Sequence, residues 1–262
     1  MQHKPLVSII TVCLNSEKTI EQTIQSVVNQ SYDNIEYIIV DGLSTDGTLT
    51  IVDKYRRNIS ALISEKDNGL YDAMNKGIEI ATGELIGILN SDDYYLHDTV
   101  KIVVERYLQS TNSGVFYGNI RLLNEHEHYE YILNAEENPK NLLYKMVVPH
   151  PSAFVKKSVY QQYGCFSLEY KIASDREFML RVFTSGVNFC YINHVLTVMR
   201  LDGLNDKAFL LNAREAKNVS LKYNANKIKV FQVYFYDIIK RLIRNTLERF
   251  GLKLIVKGYK MR

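Results

Sequence analysis

Two hydrophobic periods alternate along the first 120 residues. Apolar runs at Val7–Leu14, Glu36–Val40, Ala61–Ser64, Glu84–Leu89 and Gly114–Tyr117 have the length and branching of buried strands. Between them, stretches near 17–29, 46–57, 70–81 and 97–109 repeat apolar residues at helical spacing, as in Ile20, Ile24, Val27, Val28 and in Val100, Val103, Val104, Tyr107. Strand-helix alternation of this kind predicts an α/β fold with a parallel sheet covered on both faces. The pattern then changes. Residues 119–134 read as a charged hairpin, and Val147-Val-Pro-His-Pro151 as an extended segment, because each proline pushes its predecessor out of the helical region. A helix is predicted to start near residue 174, with Ser174 as N-cap and Glu177 completing a capping box. Phe189–Ile192 and Val195–Met199 read as late strands. After Gly203 the chain turns helical, with Phe231, Tyr234, Phe235, Ile238, Leu242, Leu247, Phe250 and Leu254 at helical spacing.

The strand ends carry the chemistry. Leu85-Ile-Gly-Ile-Leu-Asn-Ser-Asp-Asp93 is a buried run that stops in two adjacent carboxylates. In a parallel sheet, ligands collect beyond the carboxyl ends of strands, where Asp92 and Asp93 repel each other. A hard divalent cation relieves that repulsion; the same pair also suits a turn or a helix cap. Asp41 ends a second strand and is followed by Gly42-Leu-Ser-Thr-Asp-Gly-Thr48, which offers either a hydrogen-bonding carboxylate for a ribose or base, or a plain turn. Thr11-Val-Cys-Leu-Asn15 ends the first strand and Asp67-Asn-Gly69 the third. Four polar strand ends on one edge are unusual for independent loops.

Composition narrows the setting. The chain has 262 residues, 46% hydrophobic and 23% charged, with four prolines, as expected of a folded protein that is either one large α/β domain or a domain with a small appendage. Its 19 tyrosines offer stacking faces. Cys13, Cys165 and Cys190 lack metal-ligand spacing, and their odd number argues against a disulfide framework and for a reducing cytoplasm; Cys13 and Cys190, in apolar runs, read as buried thiols. His126 and His128 fall two apart in the hairpin, either a solvated face or a metal pair with nearby glutamates. No leader-like start is present, and no run reaches the roughly 18 to 20 apolar residues that span a bilayer. Net charge is +3, but residues 227–262 hold ten Lys/Arg against Asp237 and Glu248, a balance of +8, leaving −5 on the rest. A cationic amphipathic tail suits either a packing helix or an anionic membrane surface. Nothing in the charge pattern calls for nucleic acid.

Taken together, Val7–Asn15, Val40–Thr48, Glu65-Lys-Asp-Asn-Gly-Leu-Tyr-Asp-Ala-Met-Asn-Lys-Gly77, Ala81-Thr-Gly-Glu84, Asn90-Ser-Asp-Asp93, Pro149-His-Pro-Ser152, Gly164-Cys-Phe166 and Ala173-Ser-Asp-Arg-Glu177 resemble the family 2 glycosyltransferases of the GT-A fold, especially bacterial enzymes of O-antigen and exopolysaccharide assembly. The likeness covers about residues 5–205. It implies a Rossmann-like mixed sheet flanked by helices, with residues 1–118 as nucleotide-sugar half, 119–205 as acceptor half, and 206–262 as a basic amphipathic helical tail.

The resemblance further implies that Thr11, Asn15, Asp41 and Asp67 hold a uridine nucleotide with Lys76 at its edge. It assigns Asp92 and Asp93 to ribose and metal-diphosphate binding with Mn²⁺ or Mg²⁺. The family's Asp-x-Asp-Asp pattern begins here with Asn90, so which of the two remaining acids ligates the metal is open. Asp175 stands where the family places its carboxylate base, although Ser174 replaces the usual preceding Glu. His150 is read either as an acceptor or diphosphate contact or as a loop histidine between prolines; Arg200 and Asn205 as residues closing over the donor; Arg181 as a structural ion-pair member. The Gln-x-x-Arg-Trp motif of processive synthases is absent. The implied activity is inverting transfer of one hexose from a UDP-sugar to a saccharide on a lipid diphosphate, giving a β-linkage from an α-linked donor, at the inner face of the cytoplasmic membrane. The alternative is a catalytically inactive nucleotide-sugar-binding scaffold on the membrane surface. A nicotinamide oxidoreductase is disfavoured because Thr11–Lys18 holds no glycine, and a nucleotidylyltransferase because no basic glycine-rich loop follows the first strand.

Overall fold

The computed structural model describes residues 3–125, 128–201 and 208–249. Four parallel strands form its first half: β1 (Val7–Cys13), β2 (Ile35–Asp41), β3 (Ala61–Ser64) and β4 (Leu85–Asn90). They lie in the order β3-β2-β1-β4, with Thr11 opposite both Ile39 and Leu89 in register. The connecting helices are α1 (Ile20–Val28), α2 (Thr48–Lys54) and α3 (Leu70–Ile80). Alternate residues of β1 feed two cores: Val7, Ile9 and Cys13 face α1 and α2, whereas Ile10 and Val12 face α3. A buried strand with both faces covered must be apolar on both, which is why the run lacks an alternating pattern.

The second half turns the sheet mixed. Strand β5 (Tyr94–Tyr95) follows β4, then α4 (Thr99–Gln109), the long strand β6 (Ser113–Asn124), β7 (Tyr129–Leu133), β8 (Phe154–Lys156), α5 (Lys157–Tyr163), α6 (Ser174–Thr184) and β9 (Asn188–Arg200). Strand β8 wedges antiparallel between β4 and β6, and β9 runs parallel to β6 before pairing with β5. The expected hairpin is β6–β7, but His128 lies in its turn with φ +50 rather than on a strand face; His126 is outside the described residues. The two late strands are one, β9, whose register against β6 shifts near Gly118 and Asn119. Cys13 and Cys190 are buried and all three thiols are free.

The capping box does not form. Ala173 takes the N-cap position of α6 without a side-chain cap. Ser174 Oγ donates instead to the Ser167 carbonyl, and Glu177 turns away to accept from Arg181 and from the Tyr223 hydroxyl. Burial of Glu177, at 2% exposure, favours the three-dimensional partners over the local one. Arg181 is structural, as expected, paired with Glu177 at 3.0 Å and donating to the Cys165 carbonyl at 2.7 Å.

The tail begins with α7 (Phe209–Lys222) and continues as α8 (Lys227–Arg249). Val219 is fully buried in the core that α3 and α6 share, so α7 is built into the body of the molecule. Helix α3 is pressed equally hard onto the sheet. A Cβ on its Gly77 would come 2.4 Å from Cγ2 of Ile10, a fully buried strand residue with nowhere to move. Replacing Gly77 by Ala gains about 1 kcal/mol of helix propensity but overpacks the core by about 1–3 kcal/mol. We expect a net destabilisation of about 1 kcal/mol, read as a lower urea midpoint with unchanged slope.

Candidate active site

The loops after β1, β2, β3 and β4 meet on one edge of the sheet and are stitched to one another. Asn15, with φ +51, accepts from the Thr45 amide at 2.8 Å through its side chain, and its own amide donates to Ser44 Oγ at 2.8 Å. Asp41 is fully buried; its carboxylate accepts from Ser64 Oγ at 2.7 Å and from the Ser44 amide. Asp67 reaches back over the β2 turn, where a Cβ on Gly42 would stand 2.4 Å from its Oδ2 and 3.6 Å from Leu14 Cδ1. The glycine is therefore the space that lets Asp67, Leu14 and the β2 turn converge. Leu14 and Leu43 stand 55% and 50% exposed at this mouth, an apolar rim beside carboxylates. Lys76 ties the β3–α3 loop down, bonding the Lys66 carbonyl at 2.8 Å and pairing with Glu65 at 2.8 Å.

Thr11 does not reach this edge. It sits two residues inside β1, fully buried, and its hydroxyl accepts from the Tyr37 hydroxyl at 3.1 Å. The period-2 alternation of the strand turns it toward α1, away from the crevice.

At the end of β4 the two acids differ. Asp93 is 1% exposed; its Oδ1 accepts from the Arg200 amide at 3.1 Å, while Oδ2 is buried without a partner, as is Oδ1 of Asn90. Asp92 is half-buried. Desolvation pushes the Asp92 carboxyl above its ordinary range, opposed by the Arg200 charge. It pushes Asp93 further, with the Asp92 charge adding to burial. Arg200 lies beneath this turn. Its three nitrogens donate to Glu125 at 2.9 Å, to the Asp92 carbonyl and to Gln22, and its guanidinium stacks over Tyr94 at 5.4 Å. It is occupied as a brace rather than poised over the crevice. Asn205 lies outside the described residues.

Across the crevice, the turn His150–Ser152 packs beside β4, β6 and β9. His150 is 8% exposed, its ring edge-on to Phe166 at 5.6 Å. Burial lowers its pKa, against the pull of the nearby Asp175 charge, and so favours the neutral ring. Asp175, in the first turn of α6, accepts at Oδ1 from the Arg176 amide at 2.7 Å and from the Tyr71 hydroxyl at 3.1 Å. Tyr71 belongs to the first turn of α3 and also donates to the Ile172 carbonyl. Burial and the Asp175 charge both raise the pKa of that phenol, which keeps it a proton donor. In the sequence, the only sign of this role is Tyr71's place in the first helical turn after the Asp67 strand end. Gln22 and Glu125 gave no local sign, because their partner Arg200 is more than 70 residues away in sequence.

The structure thus has paired acids at one strand end, polar side chains at the ends of three others, and a carboxylate at the start of a helix tied to the β3–α3 connection through Tyr71. The profile of glycosyl transferase family 2 matches residues 8–164. This chain belongs to glycosyl transferase family 2. It is a transferase, and its fold is the GT-A fold of solved glycosyltransferases. A PGL/p-HBAD biosynthesis glycosyltransferase of Mycobacterium bovis is 28% identical over 216 residues, covering 79% of this chain and 83% of that protein. The S. aureus TarS 1–349 structure in complex with UDP-GlcNAc superimposes with TM-score 0.62 at 19% identity, covering 89% of this chain and 71% of that one; a longer TarS chain is spanned for 42% of its length. The mannosyltransferase PcManGT from Pyrobaculum calidifontis, in complex with GDP-Man and Mn²⁺, superimposes with TM-score 0.68 at 16% identity, covering 100% of this chain and 82% of that one.

Proposed function

We propose that this glycosyltransferase moves a single hexose from a UDP-sugar to a saccharide carried on a lipid diphosphate, with inversion at the anomeric carbon, in the assembly of bacterial surface-polysaccharide repeat units of the O-antigen kind. The observation that carries the reading is the Tyr71 bridge: the helix that follows the Asp67 strand end donates to Asp175 at 3.1 Å. This bond ties the helix that follows Asp67 to the start of the helix that carries Asp175, which supports one shared site. Asn15, Asp41 and Asp67 shape the nucleotide slot, with Lys76 fixing its outer loop. UDP-GlcNAc in the TarS complex supports uridine.

The acids at the end of β4 suit a divalent cation, Mn²⁺ or Mg²⁺: two like charges, a buried unpartnered carboxylate oxygen and an unpartnered amide oxygen all await a positive partner. Asp92, the more accessible member, would ligate the cation directly, and Asp93, one oxygen held by the Arg200 amide, would add its charge and its unpartnered oxygen. Among the described residues no group of three or more His, Cys, Asp or Glu gathers as a metal site; Asp92 and Asp93 would hold the cation together with oxygens of the donor diphosphate. When bound, the cation supplies Lewis-acid stabilisation of the departing diphosphate. Asp175 takes the proton of the acceptor hydroxyl on the opposite side. His150, buried against Phe166, lies near Asp175. A panel of UDP-hexoses offered with a diphospho-lipid-linked monosaccharide tests the reading. One UDP-hexose should give acceptor-dependent UDP release and a β-linked product; turnover with a GDP-sugar alone would contradict it.

Helix α8 supports an anionic membrane surface as the second partner, placing the enzyme peripherally on the cytoplasmic membrane's inner face. No helix among the described residues is long and apolar enough to cross a bilayer. Yet Ile228, Phe231, Phe235, Ile239 and Leu242 recur at helical spacing along one face, each between 41% and 72% exposed. A chain ending at residue 226 is expected to lose at least tenfold in binding to vesicles containing anionic lipid, measured by co-sedimentation.

A further inference from the structure

We propose that Glu215, on the tail helix α7, is the positioning residue for Asp175; the proposal rests on the reading of Asp175 as the base. Glu215 is 9% exposed, and its carboxylate accepts from three consecutive backbone amides: Lys171 at 3.0 Å on Oε1, Ile172 at 2.9 Å and Ala173 at 3.0 Å on Oε2. These amides immediately precede α6, whose start has no side-chain cap of its own. Charge-assisted bonds from a buried carboxylate are the strong kind, so the path of residues 171–173 is set by a residue more than 40 positions later. The Ile172 carbonyl in that same turn accepts from Tyr71, which also holds Asp175.

The same helix grips the other side of Asp175. Ser220, one and a half turns beyond Glu215 and 1% exposed, accepts from Arg176 Nη2 at 2.9 Å. The Arg176 guanidinium is buried deeply enough that its pKa is pushed down to about 10, and its backbone amide is the one that bonds Asp175 Oδ1. One residue further, Glu177 accepts from the Tyr223 hydroxyl at 2.6 Å, just past the end of α7. Residues 171–173 before the base and 176–177 after it are therefore all anchored to one stretch of tail. Small errors in the placement of a reacting group reduce rate far more than binding. Glu215 touches neither the nucleotide loops nor the Asp92–Asp93 turn.

The test compares Glu215→Gln, Glu215→Asp and Asp175→Asn in the full chain, with UDP-sugar and a diphospho-lipid-linked monosaccharide as probes. In Glu215→Gln one oxygen becomes an NH₂ facing amide donors. Its kcat should fall 10- to 100-fold while the donor KM stays within twofold. Glu215→Asp, which keeps the charge with a shorter reach, should recover most of that loss, and it carries the test should the Gln variant fold poorly. Unchanged kcat in Glu215→Gln beside a large loss in Asp175→Asn would overturn the positioning role alone. A parallel rise in donor KM and fall in kcat in both Glu215 variants would also overturn it, marking a general structural support. Near-normal turnover of Asp175→Asn would overturn the base reading and the positioning role with it.

Discussion

Asp175→Asn is expected to lower turnover about a thousandfold with the donor KM unchanged. General-base catalysis contributes about 10²–10⁴-fold, and the amide removes the base while leaving its shape. Both hydrogen bonds that Asp175 receives from described residues fall on Oδ1, from Arg176 at 2.7 Å and Tyr71 at 3.1 Å. An amide oxygen at that position keeps both, so the fold should survive and the loss should appear in kcat. Nothing in the nucleotide slot changes, which is why donor affinity is a built-in control. Steady-state kinetics with saturating acceptor reads both quantities. A loss of less than tenfold would mean that the acceptor proton leaves by another route.

The second large effect separates the two acids of the β4 turn. Mn²⁺ is expected to raise the melting temperature of the unsubstituted protein, and Asp92→Ala to abolish that rise and reduce transfer by at least a hundredfold, because it removes the accessible carboxylate. Asp93→Asn should also lose transfer but gain stability in the absence of metal. Its Oδ2 is a buried carboxylate oxygen with no partner, beside a like charge. The neutral amide still leaves a polar group at that buried position, but it removes the cost of burying a charge beside Asp92, so a rise in melting temperature is expected by calorimetry. Equal destabilisation by both substitutions would contradict the division of labour between the acids.

Much of this site was legible because it obeys local rules. A buried strand that stops in acids, and turns that carry Gly with Asp, place side chains at a sheet edge whatever the rest of the chain does. Asn15, Asp41, Asp67 and the Asp92–Asp93 pair follow that logic and do meet. Thr11 illustrates the limit: its nearness to the strand end in sequence hid its orientation, which the strand's alternation turns into the core. Arg200 illustrates another. As an exposed-looking cation near a loop it suited a lid, yet three long-range acceptors convert it into a brace for the metal turn. The capping box at Ser174 and Glu177 had the right spacing, but both side chains found tertiary partners. Glu215 carried no motif at all. Its role exists only where α7 folds back onto the start of α6, and no local pattern encodes that return.

The most direct test of the whole account is acceptor-dependent release of UDP by the full chain, with a UDP-hexose and a diphospho-lipid-linked saccharide, measured before and after chelation and again on adding Mn²⁺. Chelator is expected to suppress transfer at least a hundredfold and Mn²⁺ to restore it, and Asp92→Ala to lack transfer in both conditions. Transfer at full rate in chelator, or Mn²⁺-dependent transfer that survives Asp92→Ala, would contradict it.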